Sequence, residues 1–238
     1  MKKKYTHLFF DLDNTLWDFN TNSRFAMWET FKVLELEKKG VNFDNYFDTY
    51  SKFNKKLWIA YRKKEVSKKE LTRQRFQLTF NALGIEGIDP LEMNDLYLEE
   101  MPKQSHLIRG TKELLDYIRS KKYRLFIITN GFKEVQQKKL LRTGLTSYFE
   151  KVFISEEIKT PKPGREIFEH AVKSSNAPKK SSLMIGDDWD VDITGAMNYG
   201  IDAVYLSGNE YNQVNALPKN KGQQFIQIKE LGELHHIL

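Results

Sequence analysis

Two carboxylates, Asp11 and Asp13, come directly after an apolar run in the stretch HLFFDLDNT. Residues two apart in an extended chain point to the same side, so the spacing predicts that both carboxylates face one place. Like charges that close repel each other and raise each other's pKa. The repulsion must therefore be offset by another interaction, and a bound cation could provide it.

Polar residues also follow three later strand-like segments, FIITNG, KVFISEE and LMIGDD. Ligands of open parallel sheets bind beyond the carboxyl ends of the strands, so we expect these residues to converge with the two carboxylates. They are Thr129, Asn130 and Gly131 after the first segment, Lys162 in TPKPG after the second, and Asp187, Asp188, Asp190 and Asp192 after the third.

This set of side chains suits a phosphate monoester. Acids from two loops could hold Mg²⁺, which prefers oxygen ligands. Lys162 could neutralise one phosphate oxygen, and Thr129 and Asn130 could donate hydrogen bonds to another. Asp11 could then attack phosphorus to give an aspartyl-phosphate. Asp13 could protonate the leaving alkoxide and later deprotonate the hydrolytic water.

The pattern of the chain predicts an α/β protein with an inserted helical domain. After Pro102, buried strands alternate with helices, which indicates a doubly wound, Rossmann-like parallel sheet. The segment between the first strand and this region has a helical pattern throughout. We predict an α/β catalytic core of residues 1–16 and 107–238 and an all-helical cap of residues 17–106, which the topology would place over the acidic site.

Composition excludes several classes of protein. The 238-residue chain has no cysteine, which excludes disulfides and thiolate metal sites. It has neither an apolar run long enough for a membrane span nor the hydrophobic region of a signal peptide, so we expect a cytoplasmic protein without a membrane partner. Its net charge of +6 lies in clusters interleaved with acids, such as RKKEVSKKE, which favours solvated helix surfaces over nucleic-acid binding. A monomer is the default expectation.

Four stretches in order, DLDNT, IITNG, TPKPG and GDDWDVD, resemble the successive motifs of the haloacid dehalogenase-like hydrolase superfamily. The insertion after the first stretch resembles the superfamily's helical type-1 cap. The resemblance implies that Asp11 is the nucleophile and Asp13 the general acid and base. It also makes Thr129 and Lys162 phosphate ligands. A carboxylate at Asp13 implies a phosphatase, because the dehalogenases of this superfamily lack one there.

The resemblance also implies a magnesium site. Its ligands would be Asp11, the main-chain carbonyl of Asp13, and Asp187. Asp192 would lie behind them and orient Lys162 or a metal-bound water. Asp188 and Asp190 fall at variable positions, for which the resemblance implies no role beyond solvation.

Longer stretches, among them FFDLDNTLWDF and IITNGFKEVQQKKLLRTGL, resemble bacterial pyrimidine 5′-nucleotidases that act on canonical and non-canonical nucleoside monophosphates. This implies a small phosphorylated substrate, and pyrimidines stack on aromatic faces. We therefore expect Asn14, Trp17, Asn130 and Gly131 to bind substrate, with Trp58 a weaker candidate.

Three alternatives stay open. A phosphatase of a phosphosugar or another small metabolite would use the same catalytic residues with a differently used cap. A mutase begins with a similar aspartyl-phosphate step. A non-catalytic phosphate or nucleic-acid binder would exploit the basic surface, although it would gain nothing from Asp11 and Asp13 facing the anion.

Overall fold

The computed structural model describes residues 5–208 and 222–238, and the chain divides into two compact units. One unit comprises residues up to 19 together with residues 106–238, and the other comprises residues 20–105. The predicted boundaries lie close to these, and the roles of catalytic core and cap stay predictions. Among the described helices, none is both long and apolar enough to cross a membrane.

A six-stranded parallel sheet forms the core of the first unit. Its strands are β1 (His7–Phe10), β2 (Arg124–Thr129), β3 (Lys151–Ile154), β4 (Ser182–Gly186), β5 (Asp202–Leu206) and β6 (Phe225–Ile228). The spatial order is β3-β2-β1-β4-β5-β6, with every neighbouring pair parallel. This confirms the predicted doubly wound α/β class.

The position of β1 explains why the predicted site residues share one edge of the sheet. Phe10, its last residue, pairs with Ile127 of β2 on one side and with Ile185 of β4 on the other. The chain first builds outward through β2 and β3 and then returns to build outward through β4, β5 and β6. Such a reversal opens a crevice at the carboxyl ends of the central strands.

Helices of the first unit pack on this sheet, and its strands β1, β4 and β5 are buried along their whole length, as apolar parallel strands require. Phe9, Phe126 and Met184 of three neighbouring strands pack with Phe168 and Met197 in one hydrophobic cluster. The second unit contains α1 (Phe19–Val33), α2 (Phe43–Arg62), α3 (Lys68–Leu83) and α4 (Pro90–Glu100). The first unit contains α5 (Thr111–Ser120), α6 (Lys133–Thr143), α7 (Ser155–Ile158), α8 (Arg165–Ser174) and α9 (Thr194–Tyr199).

In the second unit, the sequence predicts a capping box at Ser67 and Glu70, a helix end at Gly84 and a helix start at Pro90, and the structure has all three. Ser67 accepts a hydrogen bond from the Glu70 amide at 3.2 Å, and the Glu70 carboxylate accepts one from the Ser67 amide at 2.7 Å. This reciprocal capping box opens α3. Gly84 ends α3 with a φ of 64°, and Pro90 is the first residue of α4, because proline fits the first helical turn.

The structure departs from the predicted elements in four places. The segment KVFISEE is a strand only as far as Ile154, and Ser155 begins the short helix α7. The pattern of SRFAMWETFKVLELEKKG predicts a helix that ends at Gly40, but α1 ends at Val33, because Glu35 takes a left-handed φ of 51° and a 3₁₀ helix, Leu36–Lys39, follows. The sequence does not predict strand β6, which is a four-residue edge strand with two exposed residues and no alternating pattern. The stretch KELGELHHIL predicts a final helix over residues 229–238, and the structure has there the 3₁₀ helix Leu231–His236.

Candidate active site

The amino group of Lys162 is the centre of the first group of site residues. Lys162 is 1 % exposed and forms an ion pair with the Asp11 carboxylate. Its Nζ also lies 2.7 Å from Asp192 Oδ1 and donates to the carbonyl oxygen of Ile128 at 2.7 Å. The ammonium is therefore held by the residue after β1, the end of β2 and the segment after β4.

The loop that carries Lys162 is fastened to Asn130, the residue after β2. The Lys162 amide donates to Asn130 Oδ1 at 2.8 Å, and Asn130 Nδ2 donates to the Lys162 carbonyl at 3.0 Å. Both ends of the Asn130 amide thus bind one backbone residue. In this structure Asn130 positions Lys162, and its expected contact with substrate stays a prediction.

Asp11, Asp187 and Asp192 form a carboxylate cluster. All three are buried, and each offers one oxygen within 4.8 Å of the others. Hard divalent cations such as Mg²⁺ prefer carboxylate oxygens, so the donor set fits such an ion. Thr15 donates a hydrogen bond to Asp187 Oδ1 at 3.1 Å and orients it. Asp192 contacts Lys162, and its role in orienting this lysine stays a prediction.

The charges of the cluster are only partly balanced. Burial raises the pKa of Asp11 to about 7; the Lys162 ammonium opposes this rise, and Asp192 and Asp13 add to it. Burial, with the charges of Asp11 and Asp192, also raises the pKa of Asp187 well above its usual range. Burial alone would lower the pKa of Lys162, but Asp11 and Asp192 raise it. A further cation would therefore be favourable here.

Asp13 belongs to a second group of residues that the sequence analysis missed. Lys139 Nζ donates to Asp13 Oδ1 at 2.6 Å, and Gln136 Nε2 donates to Asp13 Oδ2 at 2.9 Å. Both residues lie on α6, which begins two residues after Gly131. Burial lowers the pKa of the Lys139 ammonium, and the charges of Asp13 and Asp11 act in the opposite direction. The sequence indicates Gln136 and Lys139 only by their three-residue spacing on a helix that follows the stretch IITNG.

The structure gives Trp17 a contact other than the expected substrate base. Trp17 is fully buried, and its ring centroid lies 4.0 Å from Lys139 Nζ; the ring of Phe19 lies 5.6 Å from the same atom. Asn14 takes a left-handed φ of 62°, which asparagine tolerates. Trp58, in the other unit, is half-buried with its ring 5.6 Å from that of Tyr61. Substrate contacts of these residues stay predictions.

The hydroxyl of Thr129 is arranged as a hydrogen-bond donor. Its Oγ1 accepts from Gln136 Nε2 at 2.7 Å and from the Gly131 amide at 3.2 Å. A hydroxyl has two acceptor lone pairs and one proton. With both lone pairs engaged, the proton is left to donate, which suits an anionic ligand at the end of β2.

Two glycines make room for functional side chains. A Cβ at Gly131 would lie 2.4 Å from the Gln136 amide, and a Cβ at Gly186 would lie 2.4 Å from the Asp192 carboxylate. Neither glycine has a positive φ. Their small size is therefore needed for close approach, and the predicted substrate-binding role of Gly131 stays a prediction beside this structural one.

Asp188 and Asp190, for which the sequence implied no specific role, differ in their surroundings. Asp188 Oδ1 accepts from the amides of Asp190 and Val191, both at 3.1 Å. It thereby caps the π-helical turn Trp189–Ile193 that carries Asp192. Asp190 is exposed.

The pKa of Asp11 leads to a prediction about stability. In the metal-free folded protein this carboxyl keeps its proton up to about pH 7, whereas its ordinary pKa is 3.8. The folded state then binds a proton that the unfolded state has released, so stability should fall as pH rises from about 4 to about 7. Asp11→Asn removes this contribution. In chelator, the melting temperature of Asp11→Asn minus that of the wild type should grow over this range and then level off; a constant or shrinking difference would contradict the assignment.

A second prediction concerns the carboxylate cluster. Mg²⁺ at about 100-fold its Kd should stabilise the wild type by about 2.7 kcal/mol. Asp187→Asn should melt above the wild type in chelator at pH 8, because it removes a carboxyl whose charged form is disfavoured in the folded protein, and it should gain much less from Mg²⁺. The exposed Asp190 offers a matched control, since Asp190→Asn should respond to Mg²⁺ like the wild type. Thermal unfolding measures all three, and an equal Mg²⁺ response of Asp187→Asn would rule out this residue as a ligand.

Two curated relatives match most of this chain. The pyrimidine 5′-nucleotidase PynA of Streptococcus pneumoniae is 34% identical over 216 residues, which cover 90% of this chain and 89% of PynA. The pyrimidine 5′-nucleotidase YjjG of Escherichia coli is 32% identical over 212 residues, which cover 88% of this chain and 89% of YjjG.

A solved structure matches the whole chain. Magnesium-bound YfnB of Bacillus subtilis, described as a HAD-hydrolase, aligns with a TM-score of 0.86 at 26% identity, covering 99% of each chain. The sequence model of haloacid dehalogenase-like hydrolases matches residues 5–200. These matches confirm the resemblance that the four motifs carried. The chain belongs to the haloacid dehalogenase-like hydrolase family.

Proposed function

We propose that this protein is a Mg²⁺-dependent phosphomonoesterase that hydrolyses nucleoside 5′-monophosphates, those of pyrimidines in particular. The observation that carries the proposal is the different surroundings of two nearby carboxylates. Asp11 contacts Lys162 and lies in the carboxylate cluster, whereas Asp13 contacts Lys139 and Gln136. Two carboxylates with different partners can take different roles, one as nucleophile and one as proton carrier.

In the first step, a carboxylate oxygen of Asp11 attacks phosphorus and the bond from phosphorus to the ester oxygen breaks. Asp13 gives its proton to that oxygen, so the products are an alcohol and an aspartyl-phosphate on Asp11. The Thr129 hydroxyl and the Lys162 ammonium bind phosphate oxygens and hold the group in line.

In the second step, Asp13 is a carboxylate and acts as the base. It takes a proton from a water molecule whose oxygen attacks phosphorus. The bond between phosphorus and Asp11 breaks, which releases inorganic phosphate and restores the Asp11 carboxylate.

The residues that would hold Mg²⁺ are Asp11, Asp187 and the main-chain carbonyl of Asp13. When bound, the ion supplies positive charge beside the phosphate oxygens and so reduces their repulsion of the Asp11 carboxylate. Asp192 would keep Lys162 oriented. The buried oxygen donors of the carboxylate cluster support this assignment, as does the magnesium bound to YfnB.

The substrate class rests on PynA and YjjG, both pyrimidine 5′-nucleotidases more than 30% identical to this chain over most of its length. The proposed ligand is thus a small phosphorylated metabolite, and we expect the protein to bind neither nucleic acid nor a membrane. We also propose that the protein is a monomer in the cytoplasm.

Phosphate release from a panel of monoesters tests the proposal. With Mg²⁺, the protein should hydrolyse UMP, dUMP or dTMP faster than purine monophosphates, phosphosugars and an aryl phosphate. A chelator should abolish release. Asp11→Asn, which lacks the nucleophile, should lose at least about 1,000-fold in kcat while remaining folded.

The panel also separates the alternatives. Preference for a sugar phosphate would keep the mechanism and reject the nucleotide substrate. Full activity of Asp11→Asn would remove Asp11 as the nucleophile. Release of phosphate from no monoester would reject the phosphatase function altogether.

A further inference from the structure

Helix α6 contains the run QQKK at residues 136–139, in which one glutamine and one lysine are buried and the other two residues are exposed. Gln136 and Lys139 are 0% and 2% exposed, whereas Gln137 and Lys138 are exposed. Residues three apart share one helix face, so the buried amide and the buried ammonium point the same way. Burying an ammonium is costly unless it is paired, so the placement of Lys139 requires a reason.

Both buried side chains bind the carboxylate of Asp13. Lys139 donates to one oxygen at 2.6 Å, and Gln136 donates to the other at 2.9 Å. A carboxylate held at both oxygens can neither rotate about its last bond nor change rotamer without losing a hydrogen bond. The two residues therefore fix where Asp13 presents its oxygens.

The ammonium of Lys139 is in turn held by the segment that carries Asp13. The ring centroids of Trp17 and Phe19 lie 4.0 Å and 5.6 Å from Lys139 Nζ. Aromatic faces attract cations, and more strongly when the pair is removed from water. Lys139 Nζ thus contacts the carboxylate and lies close to both rings, which leaves it little freedom to move.

Gln136 joins Asp13 to Thr129. Its amide nitrogen carries two protons and lies 2.9 Å from Asp13 Oδ2 and 2.7 Å from Thr129 Oγ1. A side chain at Gly131 would displace this amide, because a Cβ there would lie 2.4 Å from it. One amide therefore sets the spacing between the proposed proton carrier and the proposed phosphate-binding hydroxyl.

Stability alone does not account for this arrangement. A buried ion pair is a weak source of stability, because desolvation of both charges offsets their attraction. An apolar side chain would fill the place of Lys139 at lower cost. What the ion pair adds is a defined orientation of Asp13.

We propose that Lys139 and Gln136 are positioning residues that hold Asp13 for proton transfer to the leaving oxygen, a role that rests on the proposed phosphatase function. As the bond between phosphorus and the ester oxygen breaks, that oxygen keeps the electron pair and takes the proton of Asp13. The need for this proton rises with the basicity of the leaving group. Loss of the positioning residues should therefore affect poor leaving groups most.

The experiment compares kcat/KM for three esters, p-nitrophenyl phosphate, phenyl phosphate and UMP, whose leaving groups increase in basicity in that order. The value of kcat/KM reports the steps up to release of the alcohol. Lys139→Met should lower it about 10- to 100-fold for UMP, part of the roughly 100- to 10,000-fold that general acid catalysis contributes. The loss should be smaller for phenyl phosphate and less than about threefold for p-nitrophenyl phosphate.

Gln136→Leu should show the same dependence on the leaving group and also raise KM, since it releases Thr129 as well. The neighbouring exposed residues give matched controls. Lys138→Met and Gln137→Leu change the same chemical groups on the same helix and should leave all three values near those of the wild type. Lys139→Arg, which keeps the charge, should recover part of the activity toward UMP.

An equal loss for all three esters in a folded Lys139→Met variant would overturn the proposal, because a merely structural role predicts that result. If this variant does not fold, Lys139→Gln and Gln136→Leu carry the same expectation and can refute it in the same way. A wild type without activity on any ester would reject the phosphatase function itself. An active wild type with equal losses in the variants would reject only the positioning role.

Discussion

The site depends on several carboxylates being buried close together at the end of a parallel sheet. Such a cluster is unfavourable by itself, since burial and mutual repulsion both raise the pKa of Asp11 and Asp187. Lys162 is the buried cation that contacts it in the described structure. Two kinds of contact keep that ammonium in place. Asn130 makes two hydrogen bonds with the Lys162 backbone, and Asp192 forms an ion pair with the ammonium itself.

Each carboxylate of the stretch DLDNT forms an ion pair with a different lysine. Lys162 contacts Asp11 and comes from the loop between α7 and α8, whereas Lys139 contacts Asp13 and comes from α6. Because β1 lies between β2 and β4, the residues that follow it can be reached from both halves of the sheet. In each half of the sheet a glycine leaves room for a polar side chain to approach. Gly131 leaves room for Gln136, and Gly186 leaves room for Asp192.

The sequence allowed the strand-end residues to be predicted, because parallel strands end at one edge whatever their exact register. Asp11, Lys162 and Asp187 could be found in this way without knowing any helix orientation. Gln136 and Lys139 could not. In the run QQKK each residue type occurs twice, and only the rotation of α6 about its axis decides which copy is buried. That rotation is set by packing against the rest of the unit.

The positions of Asp11 and Asp13 show where the alternation of side chains along a strand stops being a guide to their direction. In an extended strand they would point to one place, but β1 ends at Phe10 and the chain reaches a left-handed residue at Asn14. Beyond the end of a strand, the alternation of side chains no longer fixes direction. The two carboxylates consequently meet different cations. Which ammonium each carboxylate contacts therefore depends on where the strand ends as much as on which residues follow it.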